Sequence, residues 1–201
     1  MQKYEYYYEG AAFYCYPDTD VLINKFHIKN SEDLDRVEKR ISSLKAVELT
    51  NHPVSGCFDF SHLCAIHRYL FSDIYEWAGQ PRKGGFMSKG GSIFSNSDYI
   101  ESNFMDYFEK LQDKNYLKGL ELNSFCKELA FCMSEVNSIH PFREGNGRTA
   151  RIYFSQLAEN AGYKLRFNKI DKEELLLADV LAYRGNHQLL IEILNQIVSP
   201  I

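Results

Sequence analysis

Apolar residues recur at helical spacing along most of this chain. After an aromatic stretch at residues 1–30, Ser31 precedes a run with Leu34, Val37, Ile41 and Leu44 on one face, and Asp59 precedes Leu63, Ile66, Leu70, Phe71 and Ile74. Both read as amphipathic helices with a capping residue at the start. Asp98 opens a run with Phe104, Tyr107, Phe108 and Leu111, and Asn123 opens one through Phe125, Leu129, Cys132, Val136 and Ile139 that ends at His140. Further runs follow Gly147 (Ile152, Leu157, then a stop at Gly162) and Asp171 (Leu175, Ala178, Leu181), and a last one carries Leu190, Ile193, Leu194 and Ile197. Seven helices are predicted. The pattern shows no repeat and no shift in composition, so residues 1–201 are expected to form a single all-α domain.

The periodicity fails over residues 79–97, GQPRKGGFMSKGGSIFSNS, which hold five glycines. Segments 85–88 and 92–95 can form two short strands around Lys89, Gly90 and Gly91, a small β-hairpin.

The densest chemistry lies in His140-Pro-Phe-Arg-Glu-Gly-Asn-Gly-Arg-Thr-Ala-Arg151. Gly145 and Gly147 permit backbone angles that let successive amides turn inward as an anion-binding nest. The helix that follows adds unpaired N–H donors and a partial positive charge at the same place. Arg148 and Arg151, three residues apart, fall on one face where both can grip phosphate oxygens. Glu144 would repel a phosphate unless a divalent cation, naturally magnesium, lay between them. His140 is a candidate base for a hydroxyl proton. Taken singly, each of these residues is also what a turn between two helices would contain; their convergence is what points to a phosphate site.

These positions match the HxFx(D/E)GNGRxxR signature, and on His140, Phe142, Glu144, Gly145, Asn146, Gly147, Arg148 and Arg151 the chain resembles the Fic family. The resemblance implies a Fic-fold helical bundle that transfers AMP from ATP to a Ser, Thr or Tyr hydroxyl of a target protein. His140 would be the base, Glu144 would hold Mg2+, and Asn146 with the loop amides would meet the α-phosphate. Arg148 and Arg151 would bind the β- and γ-phosphates, and Phe142 would anchor the loop. Segment 79–97 resembles the family's flap, which docks the target's main chain, here through Phe86, Met87, Ser88, Lys89 and Gly90. Tyr183 falls near where the family contacts adenine.

The family also implies restraint by a helix bearing (S/T)xxxE(G/N). Glu9 and Gly10 of EYYYEG fit its end, whereas Glu5 stands in place of Ser or Thr. A small partner antitoxin supplying that helix is therefore expected, with Glu9 as the internal rival. Small members of the family include toxins acting on DNA gyrase and topoisomerase IV. A related transferase moving another phosphate-containing group, such as the γ-phosphoryl, and a non-catalytic nucleotide- or protein-binding module are the alternative readings.

Charge and cysteine usage narrow the setting. A net charge of −4 argues against a protein that coats nucleic acid. Five cysteines without CxxC spacing indicate neither a disulfide framework nor structural zinc, and a cytoplasmic location is expected. The N-terminus is tyrosine-rich rather than basic then apolar, so neither a signal peptide nor a membrane segment is expected. His27, His52, His62, His67 and His187 are read as structural or solvated.

Overall fold

In the computed structural model, residues 6–201 are described. Glu5, the position that departs from the inhibitory pattern, lies outside them. Among the described residues the seven helices are α1 (Ser31–Asn51), α2 (Phe60–Phe71), α3 (Ile100–Asp113), α4 (Leu122–Ile139), α5 (Asn146–Asn160), α6 (Lys172–Tyr183) and α7 (Gln188–Ile197). Their starts follow local chemistry. The side chains of Asn30, Asp59 and Asp171 accept amide hydrogen bonds in the first turns of α1, α2 and α6, each a cap that satisfies donors the helix cannot.

Helix α4 is the hub, packed against α3, α5, α6 and α7. Its buried face is the predicted one: Phe125, Leu129, Cys132, Val136 and Ile139. The predicted face of α7 is buried throughout as well. Each large apolar side chain taken from water stabilises the fold by roughly 1.5–3 kcal/mol, so α4 fixes the position of its own C-terminal residue, His140.

Helix α1 departs from expectation. Leu44 is 62% exposed, and the buried stripe runs Leu34, Glu38, Ser42, Leu49, with two polar residues inside. A stripe selected by apolar character misses Glu38 and Ser42, because they are buried against an arginine rather than against hydrocarbon.

The hairpin is present as β2 (Met87–Lys89) and β3 (Ser92–Ile93). It is not isolated: β1 (Tyr6–Tyr8), from the aromatic N-terminal stretch, pairs antiparallel with β2, giving the order β1-β2-β3. A second small sheet, β4 (Tyr163–Leu165) with β5 (Val198–Pro200), ties the end of α5 to the residues after α7. Neither β1 nor this pair is signalled by alternation, since three-residue strands are too short to show it.

Candidate active site

The loop between α4 and α5 is built by a few backbone decisions. His140 ends α4 in the left-handed region (φ 49°, ψ 61°), a conformation that costs a non-glycine residue roughly 1–2 kcal/mol. Arg82 helps hold it there: its Nε donates to the His140 carbonyl at 2.9 Å, and its amide donates to the Pro141 carbonyl at 2.8 Å. Phe142 is buried and stacks on His67 at 3.9 Å. His67 in turn accepts from the Gly79 amide at Nδ1 and donates from Nε2 to the Glu144 carbonyl, so its tautomer is fixed by what it bridges. Burial pushes its pKa down to about 3.

Gly145 is the N-cap of α5, at φ 82°, and a Cβ there would come within 2.4 Å of the Phe71 ring. Only glycine fits, on both counts. Gly147 corrects the expectation made for it. It sits in the first turn of α5 without a positive φ, and a Cβ would meet only Arg151 Nη1 at 3.4 Å. Its missing side chain keeps the helix start open rather than permitting an unusual angle. No side chain caps α5, and Thr149 is the first residue whose amide closes onto the turn, at the Gly145 carbonyl. The amides of Asn146, Gly147 and Arg148 are thus the open donors of this helix.

The Asn146 side chain does not point its amide at an anion. Its Oδ1 accepts from the Phe142 amide (2.9 Å) and its Nδ2 donates to the Phe142 carbonyl (2.7 Å), which clamps the loop shut on itself. Its side chain shapes the nest, and what it can offer a phosphate is its main-chain amide.

The His140 ring lies flat on Phe94, centroids 3.8 Å apart and planes within 12°. Its Nδ1 is buried, and the Asn137 backbone is the one neighbour that favours its charged form. Burial, then the charges of Arg82 and Lys89, push its pKa down to about 3. At neutral pH the imidazole is neutral, as a base must be.

The two arginines have separate surroundings. Arg148 reaches Glu38 (2.5 Å), Ser42 (3.0 Å) and Glu144 (3.3 Å) and lies over the Phe71 ring; Tyr75 donates to the other oxygen of Glu38. Arg151 makes no ion pair among the described residues. It lines a cavity of about 50 Å³ with Asn137, Phe142, Gly147 and Asp179, and burial, opposed by Arg151, raises the Asp179 pKa to about 6.

Magnesium fits this donor set only as a phosphate-bound ion. Glu144 Oε1 is taken by the Gly145 amide and Arg148, and among the described residues no group of three or more His, Cys, Asp or Glu could cage a metal. One half-exposed carboxylate beside an anion nest is the usual protein share of a site completed by phosphates and water.

Three expected sites have these surroundings. Phe86, Met87, Ser88, Lys89 and Gly90 belong to the central strand and its turn: β1 takes one edge of β2 and β3 the other, and the Met87 side chain is buried. The outer edge of β3 has no neighbouring strand among the described residues. Tyr183 is placed on that edge, its hydroxyl bonded to Ile93. The Glu9 carboxylate accepts from the Phe86 amide at 2.9 Å, and the Glu9 amide donates to the Phe86 carbonyl; it braces the flap rather than an arginine.

Arg82 is the residue the sequence conceals. It is 1% exposed, and besides His140 it donates to the carbonyls of Gly85 and Ser95, the two feet of the flap. A single arginine in a glycine-rich stretch carries no motif, so only its contacts reveal it.

Fold and site together define a helical protein built around an open helix start with a neutral imidazole at its mouth. The model of the Fic/DOC family matches residues 57–158, and the chain belongs to that family. It is 37% identical over 94% of its length to protein adenylyltransferase VbhT of Bartonella schoenbuchensis, of which it spans 40%. It is 35% identical to the probable protein adenylyltransferase Fic of Escherichia coli, covering 95% of this chain and 94% of that one. Among solved structures, BepC of Bartonella tribocorum with bound AMPPNP superposes with a TM-score of 0.90 at 28% identity, covering 96% of this chain and all of that one.

Proposed function

We propose that this chain acts as one Fic domain that transfers AMP from ATP to a hydroxyl of a target protein. One observation carries the reading: a neutral imidazole at the C-terminus of α4 stands at one end of a loop whose other end is the uncapped, glycine-opened N-terminus of α5. The relatives named above as adenylyltransferases, and the nucleotide analogue held by BepC, support it.

In this mechanism the ATP phosphates lie on the amides of Asn146, Gly147 and Arg148. His140 Nε2 takes the proton of a target Ser, Thr or Tyr. The freed oxygen attacks the α-phosphorus, forming the new O–P bond as the bond to the β-phosphate oxygen breaks and pyrophosphate leaves. The α5 amides and dipole stabilise the charge that develops, with Arg148 and Arg151 on the departing phosphates. Magnesium, when bound, would add positive charge across the phosphates, with Glu144 as its protein ligand. Arg148 is already counterbalanced by Glu38, so it would act as a fixed dipole-like partner, and Arg151 is the more available cation.

The finer reading proposed here is a toxin acting on DNA gyrase or topoisomerase IV in the cytoplasm, restrained by a small antitoxin. The bracing of Glu9 on the flap favours a partner over Glu9 as the source of restraint.

Incubation of the protein and a His140→Ala variant with cell extract and ATP labelled at the α or γ position tests the reading. Label from the α position alone, lost in the variant, is the expected result; label from the γ position alone refutes AMP transfer.

A further inference from the structure

The outer edge of β3 is occupied by a single side chain. In this hairpin Phe94 donates to the Met87 carbonyl at 2.9 Å, and Lys89 pairs with Ser92. Antiparallel pairing alternates, so the polar groups of Ile93, opposite Ser88, turn away from β2 toward the free edge. Both meet one atom: the Ile93 amide donates to Tyr183 Oη at 2.9 Å, and the same hydroxyl donates to the Ile93 carbonyl at 2.5 Å. A hydroxyl that accepts and donates to one residue imitates the paired N–H and C=O of an adjacent strand.

We propose that Tyr183 is a resident competitor for the target's main chain, and so a residue that sets how readily a target engages. An extended segment adding to this edge would place one residue opposite Ile93 and make the same two bonds through its own N–H and C=O. It can do so only after the Tyr183 hydroxyl leaves. The ring has room to move: it lines an open groove of about 560 Å³ with Phe131, Ser138 and His187. The edge is also next to the chemistry, since the following residue, Phe94, stacks on His140. Side chains opposite each other across a strand pair share a face. The Ile93 side chain is exposed and Phe94 faces His140, so the modified hydroxyl belongs one residue before or after the one bonded to Ile93.

This inference rests on the proposed transfer of AMP, and the test separates the two. Tyr183→Phe keeps the ring and removes only the hydroxyl. In hydrogen–deuterium exchange by NMR, the Ile93 amide of the variant is expected to exchange at least tenfold faster, with Phe94 unchanged. In α-labelled ATP assays with bacterial cell extract as the target source, the variant is expected to half-saturate at a threefold or greater lower extract concentration. Its plateau rate and its KM for ATP should match those of the wild type. An unchanged or higher half-saturation, or unaltered Ile93 exchange, overturns the competitor role while leaving AMP transfer intact. A raised KM for ATP overturns it in favour of a nucleotide contact. Absence of α-label with the wild type overturns AMP transfer itself and the docking role with it.

Discussion

The catalytic loop and the flap meet at His140, yet they are held in opposite ways. The loop from His140 to Gly147 is pinned from the interior: Phe142 and His67 stack beneath it, Asn146 clamps its ends, and Phe71 forbids a side chain at Gly145. Between its feet at Gly85 and Ser95 the flap has only Met87, Ser92 and Phe94 buried. It is otherwise suspended by backbone and polar contacts from Arg82, Glu9, Tyr183 and β1. A site that must present reacting groups at one geometry needs the first arrangement. A surface that must accept other chains needs the second, in which each bond can be exchanged for an equivalent one.

The largest break should come from the pinned side. Gly145→Ala combines a left-handed backbone with a clash against Phe71, and is expected to cost roughly 2–4 kcal/mol in urea unfolding and to abolish α-label transfer. Gly147→Ala is its contrast: stability should hold or rise by up to about 1 kcal/mol, because alanine favours a helix, while transfer falls as the methyl crowds the open amides.

Arg82 joins the two regions, so its loss should register in both. Arg82→Met leaves the carbonyls of His140, Gly85 and Ser95 without their donor, and a loss of about 2 kcal/mol is expected. The same variant should show faster amide exchange in the flap and a lower maximal rate, with ATP binding by calorimetry altered less.

Acid should loosen the loop through His67. His67 has a folded pKa of about 3 against about 6.5 for a free histidine, so the unfolded state binds the proton more readily. Its contribution to stability is complete above pH about 6.5 and is lost as the pH falls toward 3. The melting temperature should drop across that window, and His67→Gln should flatten the slope. The proposed base shows the same sign: His140 is neutral from pH 5 upward, so its ionisation should leave no inflection in kcat/KM between pH 5 and 8.

The smallest effect is expected at Glu9. Glu9→Ala removes one exposed acceptor from the Phe86 amide, worth about 0.5–1.5 kcal/mol locally. Self-modification and ATP affinity should not change; a gain in either would restore Glu9 as an internal restraint.

Much of this was legible without coordinates. The faces of α2, α4 and α7, the caps at Asp59 and Asp171, and the hairpin around Gly90 follow from spacing and side-chain chemistry, as does the gathering of His140, Glu144, Gly145, Arg148 and Arg151 within twelve residues. What failed did so where polar groups are buried for one another. Glu38 and Ser42 occupy the core face of α1 because Arg148 waits there from 106 or more residues away, and periodicity scores such positions as solvent-facing.

The sequence by itself determined the helices, the proposed phosphate-binding loop and its family, because these depend on neighbours within a few turns of one another. Only the tertiary structure decided that β1 would cover one edge of the flap and Tyr183 the other, that Asn146 would turn inward, and that Arg82 would tie flap to base. Those outcomes rest on hydrogen bonds between backbone groups and side chains far apart in the chain. Backbone donors and acceptors are the same at every residue, so no pattern of residue types can announce which will meet.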